Sequence, residues 1–149
     1  VGWCNDSPSL ESREWGSVPY LQQAAQMAYQ QAGIRNPWNE IDFAEIDDTY
    51  AYKELQAMEA LGLCGAGQAG ALTEEGATEM DGEFPINASG GSLGVGYMLE
   101  ATGLMRALEA VLQLRGEAGQ HQIEAAEVGL VQSWRGVPTT SGAVAVLSN

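Results

Sequence analysis

Basic residues are scarce in this chain. Six Lys plus Arg stand against twenty Asp plus Glu in 149 residues, for a formal net charge of −14. That balance argues against nucleic acid and anionic membrane surfaces as partners, since both are gripped through clustered cationic side chains. It also argues against this chain alone holding a polyphosphate, because Lys53 and five arginines are all it can offer. Histidine is almost missing. His121, the one example, lies in the polar stretch Glu117-Ala118-Gly119-Gln120-His121-Gln122 and reads as a solvated surface residue. Such a chain has little imidazole acid–base chemistry of its own. Two cysteines, Cys4 and Cys64, are too few for a disulfide framework. Neither has a second Cys or a His close by, so neither reads as a metal ligand. Cys64 follows Leu61-Gly62-Leu63 and reads as a small buried apolar side chain. No apolar run reaches membrane-spanning length. The opening Val1-Gly2-Trp3-Cys4-Asn5-Asp6 has neither the basic end nor the apolar block of a secretory signal, and the expectation is a cytoplasmic protein.

What is present fits a globular domain. Hydrophobic residues make up 45% and charged residues 17% of the chain, in the range of folded rather than disordered proteins. The length suffices for one domain, residues 1–149, with a real core. A strand end and loop open the chain. Ser17 then reads as an N-cap with Pro19 in the first turn, and Tyr20–Ala32 has helical spacing in Leu21, Ala24, Ala25, Ala28 and Ala32. Gly33 suits the C′ position. Ile41–Ile46 reads as a strand ending at Asp47-Asp48-Thr49. A helix over about 49–61 follows, with Tyr52, Leu55, Met58, Ala60 and Leu61 toward the core. Residues 65–83 read as a long loop and 84–87 as a short edge segment. A third helix over 99–114 shows an apolar stripe of Leu104, Met105, Leu108, Val111 and Leu112, expected to face the core. Two strands, 127–133 and 141–147, close the chain. This order predicts an α/β fold, a three-layer α/β/α sandwich around a mixed five-stranded sheet.

Glycine is concentrated between residues 84 and 103, where Gly90, Gly91, Gly94, Gly96 and Gly103 feed the third helix. Such a turn lets backbone approach a ligand, and its free N–H groups and helix dipole suit negative charge. Equally, it reads as a plain strand-to-helix connection. Sites of open α/β sheets lie beyond the carboxyl ends of parallel strands. Three features are expected to converge there: Asp47-Asp48, the turn from Gly90 to Tyr97, and the loop from Trp134 to Thr140. Asp48 also reads as an N-cap of the following helix, and Tyr97 as a half-buried aromatic with its hydroxyl satisfied.

These residues resemble a family. Ala44-Glu45-Ile46-Asp47-Asp48-Thr49-Tyr50, Glu59-Ala60-Leu61-Gly62-Leu63-Cys64, Ile86-Asn87-Ala88-Ser89-Gly90-Gly91, Ala101-Thr102-Gly103 and Leu112-Gln113-Leu114-Arg115-Gly116 are similar, in order and spacing, to the C-terminal half of the thiolase superfamily. The likeness is to the sterol carrier protein X-type thiolases and their thiolase-like relatives. The resemblance implies a βαβαβαββ half that joins an N-terminal half or a second copy of itself. That other half would hold the acyl-accepting Cys and most contacts to a coenzyme A thioester substrate, with no further cofactor. Departures are specific. Asp47-Asp48 stands where such thiolases carry His-Asp, or Asn-Glu in the wider family. Gly96-Tyr97-Met98 stands for Gly-His-Pro, and Trp134-Arg135-Gly136-Val137-Pro138 lacks the usual Cys or His-Asn. An ionised Asp47 would repel a thioester oxyanion. Tyr at the Gly-His-Pro position is known among thiolase-like steroid side-chain retro-aldolases, which work with an OB-fold partner protein. By resemblance, Tyr97 and Asp47 are the candidate catalytic residues, and Asn87, Gly90, Gly91, Gly96 and Trp134 the candidate substrate-binding ones. The chain is expected to work as an acyltransferase or retro-aldolase in an assembly. The alternative is a degenerate binding or assembly module.

Overall fold

The structure, a computed structural model, describes residues 1–5, 16–134 and 141–149. Its sheet holds β1 (Gly2–Asn5), β2 (Phe43–Glu45), β3 (Val128–Trp134) and β4 (Ser141–Ser148) in the order β1-β4-β3-β2. β2 and β3 are parallel, with Ala44 opposite Leu130. β3 and β4 are antiparallel, with Leu130 opposite Val146, and β1 runs antiparallel to β4 at the edge. Among the described residues six α-helices accompany it: α1 (Pro19–Ala32), α2 (Pro37–Glu40), α3 (Ala51–Ala60), α4 (Ala69–Glu74), α5 (Gly91–Val95) and α6 (Thr102–Leu114). The fold is therefore mixed α/β around an open sheet.

The described residues form four strands, not five. The segment Phe84–Asn87 makes one parallel bridge, Ile86 beside Ala44. Ala44 donates its N–H to Pro85 O and accepts that of Asn87. Pro85 has no N–H to continue a ladder. Phe84 and Ile86 spend theirs on Ala77 O and Thr78 O, away from the sheet. Asn87, at φ 55°, then turns the chain out of extended backbone. The stretch 65–83, expected as loop, contains α4.

Residues of β2 alternate between two cores, as a strand's period of two requires. Ala44 and Ile46 join Leu21, Ala24, Ala28, Met58 and Leu61 from α1 and the α3 region. Phe43 joins Ala110, Leu114 and Val131 on the α6 side. The small residues of α1 let it sit hard on β1. A Cβ at Gly2 would lie 1.9 Å from Ala24 O. α1 opens at Val18 with Pro19 in its first turn and closes on Gly33 at φ 78°; its N-cap is Val18, not Ser17.

Two faces differ from expectation. Tyr52 of α3 is exposed, while Lys53 is buried with its ammonium 4.1 Å from the centre of the Trp134 ring. α6 is turned further. Its buried residues are Thr102, Arg106, Ala110, Gln113 and Leu114, whereas Leu104 is 75% and Leu108 59% exposed, with Val111 exposed beside them. Polar anchors set this rotation. Arg106 bonds Ile46 O. Gln113 donates to His121 O and accepts from the Ile123 N–H. The apolar stripe is left pointing outward.

Candidate active site

β2 ends at Glu45 and runs on into Ile46-Asp47-Asp48, all four buried. The alternation that put Ile46 in the core leaves three carboxylates at one strand end, and desolvated carboxylates need donors or a cation. Arg106 of α6, fully buried, supplies the cation. Its Nε donates to Ile46 O at 2.9 Å, Nη1 lies 3.4 Å from Asp47 Oδ2, and Nη2 lies 3.2 Å from Asp48 Oδ1 and 2.7 Å from Ser92 Oγ. Asp48 does not cap α3, whose N-cap is Tyr50. It caps α5, accepting the N–H of Ser92 at 2.7 Å and of Leu93 at 3.1 Å. Glu45 accepts the Ser89 N–H at 3.1 Å and its hydroxyl at 2.7 Å, and Ser89 Oγ accepts the Gly91 N–H. Burial pushes the Glu45 carboxyl up to about 7. The two Ser89 bonds pull against that, Glu109 adds to the rise, and Arg106 opposes it.

The Gly-rich turn is therefore a clasp. The N–H groups of Ser89, Gly91, Ser92 and Leu93, which the sequence offered to a ligand's negative charge, are held by the protein's own oxygens. Gly91 is required by position: φ is 58°, and a Cβ would lie 2.0 Å from Asp48 Oδ2.

Beyond the carboxyl ends of β2 and β3 lies a groove of about 650 Å³. Asp47, Tyr97 and Trp134 line it together, with Trp3, Cys4, Leu99, Glu100, Thr102, Ser133 and the start of β4. Asp47 is tied on every side. Its N–H goes to Gln132 Oε1 at 2.8 Å, Oδ1 accepts the Thr49 N–H at 3.0 Å, and Oδ2 faces Arg106. Tyr97 is 44% exposed. Lys53 backs Trp134 from behind, a cation over an aromatic face.

Asn87 is elsewhere: Oδ1 accepts the Ile46 N–H at 2.8 Å and Nδ2 donates to Glu54 at 2.8 Å. Its role in the structure is to join the end of β2 to α3, whose half-buried Glu54 has its carboxyl raised by desolvation. Gly90, Gly91 and Gly96 do not line the groove; Gly96, at φ 106°, turns the chain toward Tyr97. Of the loop from Trp134 to Thr140, residues 135–140 lie outside the described ones. His121 is not simply solvated: Nε2 lies 2.7 Å from Glu109 Oε1. Cys4 and Cys64 are both free and half-buried. Among the described residues no group of three or more His, Cys, Asp or Glu is placed to hold a metal ion, and no helix is long and apolar enough to cross a membrane.

Arg106, Glu45, Ser89 and Glu100 escaped the sequence reading. One signal was available: two adjacent aspartates after an apolar strand need a buried cation, and Arg106 is the lone basic residue inside the third helix.

An open mixed sheet with its groove beyond the parallel strand ends, and a glycine clasp leading into a long helix, defines a thiolase-like half-fold. The family comparison agrees. Residues 4–149 match the model for the thiolase C-terminal domain-like family, and the chain belongs to that family. It is 40% identical over 123 residues to an acetyl-CoA acetyltransferase of Methanothermobacter thermautotrophicus, covering 83% of this chain and 31% of that protein. It is 43% identical over 108 residues to the sterol carrier protein 2 of Oryctolagus cuniculus, covering 72% of this chain and 19% of that protein. Among solved structures it resembles an Ltp2-ChsH2(DUF35) aldolase, with TM-score 0.81 and 29% identity over 99% of this chain and 38% of that one. The chain thus spans less than two fifths of each of these relatives.

Proposed function

We propose that this chain is the C-terminal unit, residues 1–149, of a thiolase-like enzyme of acyl-CoA metabolism, and that it breaks or forms a carbon–carbon bond beside a thioester only within an assembly. The observation that carries this reading is the placing of Tyr97 in one groove with Asp47 and Trp134. Retro-aldol cleavage of a β-hydroxyacyl thioester requires one group to take the hydroxyl proton and another to protonate the carbon left behind. A phenol in a groove can serve such a step. Asp47, bound to Arg106, supplies a fixed charge that orients the site, and Trp134 supplies an apolar wall. The likeness to an aldolase over nearly the whole chain supports this chemistry, and the 40% identity to an acetyl-CoA acetyltransferase supports acyl transfer as the other reaction of the same groove. No cofactor is needed beyond the coenzyme A thioester, which the N-terminal half would mostly hold. With α1 and α3 on one sheet face and α6 on the other, the unit is read as one layered half of the complete fold.

The outward stripe of Leu104, Leu108 and Val111 is the surface on which a thiolase N-terminal half or a second copy would dock. An OB-fold protein is a further partner. The same stripe favours the alternative, a degenerate assembly module whose groove does no chemistry.

The test is turnover of acetoacetyl-CoA and of β-hydroxybutyryl-CoA, by the purified chain and by the assembly recovered with it from its native source. The expected result is no turnover by the chain alone and cleavage by the assembly. Turnover of acetoacetyl-CoA by the isolated chain would overturn the proposal.

A further inference from the structure

We infer that Glu100, rather than Asp47, is the acid–base carboxylate of the groove, working beside Tyr97 while Arg106 keeps Asp47 out of proton traffic. The inference rests on the reading of the groove as a site of carbon–carbon bond chemistry.

Asp47 is ill-suited to carry a proton. Oδ1 is engaged by the Thr49 N–H and Oδ2 by Arg106. The guanidinium is fully buried, with Asp47 and Asp48 as its counter-charges. Protonating Asp47 would strip half of that compensation from a buried cation, and a buried charge left without its partner is strongly destabilising. A base that must cycle its charge at every turnover should not be a structural counter-ion.

Among the described residues Glu100 is the other carboxylate that lines the groove. It is exposed and, among the described residues, has no hydrogen-bond or ion-pair partner. Its placing is built. Leu99 adopts a left-handed φ of 52°, a conformation that crowds the Cβ of a side-chain-bearing residue. The Met98 N–H donates to Thr102 Oγ1 at 2.9 Å, and the Ala101 N–H to Met98 O at 3.0 Å. The turn so held brings Tyr97, Leu99, Glu100 and Thr102 onto one groove wall. Backbone strain of this kind persists where the surrounding structure holds it, and it gathers at functional sites.

The step balances without a redox partner. The Glu100 carboxylate takes the proton of the substrate's β-hydroxyl. The Cα–Cβ bond breaks, its electron pair moving to Cα as a thioester enolate while Cβ becomes a carbonyl. Tyr97 delivers its phenolic proton to Cα, and the proton on Glu100 returns to the phenolate through solvent.

The experiment compares Glu100→Gln, Glu100→Asp and Asp47→Asn in the assembly, with β-hydroxybutyryl-CoA as probe and pH as the variable. Glu100→Gln should lower kcat by about 100-fold or more with KM little changed, and should remove the acidic limb of the pH profile. Glu100→Asp should keep that limb at a lower rate. Asp47→Asn should keep it too. Wild-type rate and profile in Glu100→Gln, or loss of the acidic limb in Asp47→Asn instead, would overturn the assignment. Glu100 is exposed, so its variants are expected to fold, and a shared unfolding midpoint checks this. A wild-type assembly with no turnover defeats the underlying reading and the assignment with it. Activity that survives Glu100→Gln defeats the assignment alone.

Discussion

At Gly91 a single methyl group decides whether the clasp closes. Gly91→Ala would thrust a Cβ to 2.0 Å from Asp48 Oδ2 at a φ of 58°, pushing Asp48 off Arg106 and off two amides. It should cost about 2–4 kcal/mol in a urea unfolding curve. Gly90→Ala has open space to 3.5 Å and strain only from φ 92°, so about 1 kcal/mol is expected. Equal losses at the two positions would refute the clasp. Glu45 gives a pH signature. Its carboxyl titrates near 7 in the folded chain and near 4.3 when unfolded. Between those values the folded state holds the extra proton, so the contribution is fully present below about pH 4.3 and is lost as pH rises through about 7. Glu45→Gln should flatten the fall in unfolding midpoint between pH 5 and 8, leaving what Glu54 contributes in the same direction. An unchanged slope would place the proton elsewhere. Residues of this kind were hard to read in the sequence. Asp47, Tyr97 and Trp134 were singled out and do share a groove, because the parallel strand ends and the turn into the long helix bring them there. Arg106 and Ser89 were not, because a buried ion cluster is created by tertiary approach and leaves no local pattern.

At the scale of elements, periodicity located the strands and the three long helices, α1, α3 and α6, but not the short α2, α4 and α5, and not what each helix faces. α6 shows the difference. Its apolar stripe was as clear as any in the chain, yet Leu104 and Leu108 lie outside the core while Arg106 and Gln113 lie within it. A pattern of period 3.6 reports that a helix has an apolar face; it does not say whether that face meets its own sheet or another chain. Leu104→Glu and Leu108→Glu should accordingly leave the unfolding midpoint of the isolated chain within about 0.5 kcal/mol of wild type. In sedimentation the same variants should fail to assemble. A loss of several kcal/mol would mean the stripe belongs to the fold after all. The missing fifth strand has a different cause. Extended residues around Pro85 were legible, but the diversion of the Phe84 and Ile86 amides to the 77–78 turn depends on a neighbour that only the folded chain supplies.

For the whole molecule, acidity, the outward stripe and the partial coverage of the relatives compared above point the same way. The chain carries the groove's Tyr97 wall, and under the proposed function another unit holds the charged end of the thioester. The measurement that tests this account most directly is the rate at which the assembly cleaves β-hydroxybutyryl-CoA when Tyr97 is replaced by Phe. The account predicts a fall of about 100-fold or more, in the range of general acid–base contributions, with the assembly intact. An unchanged rate in an intact assembly would contradict it and leave the chain as a scaffold.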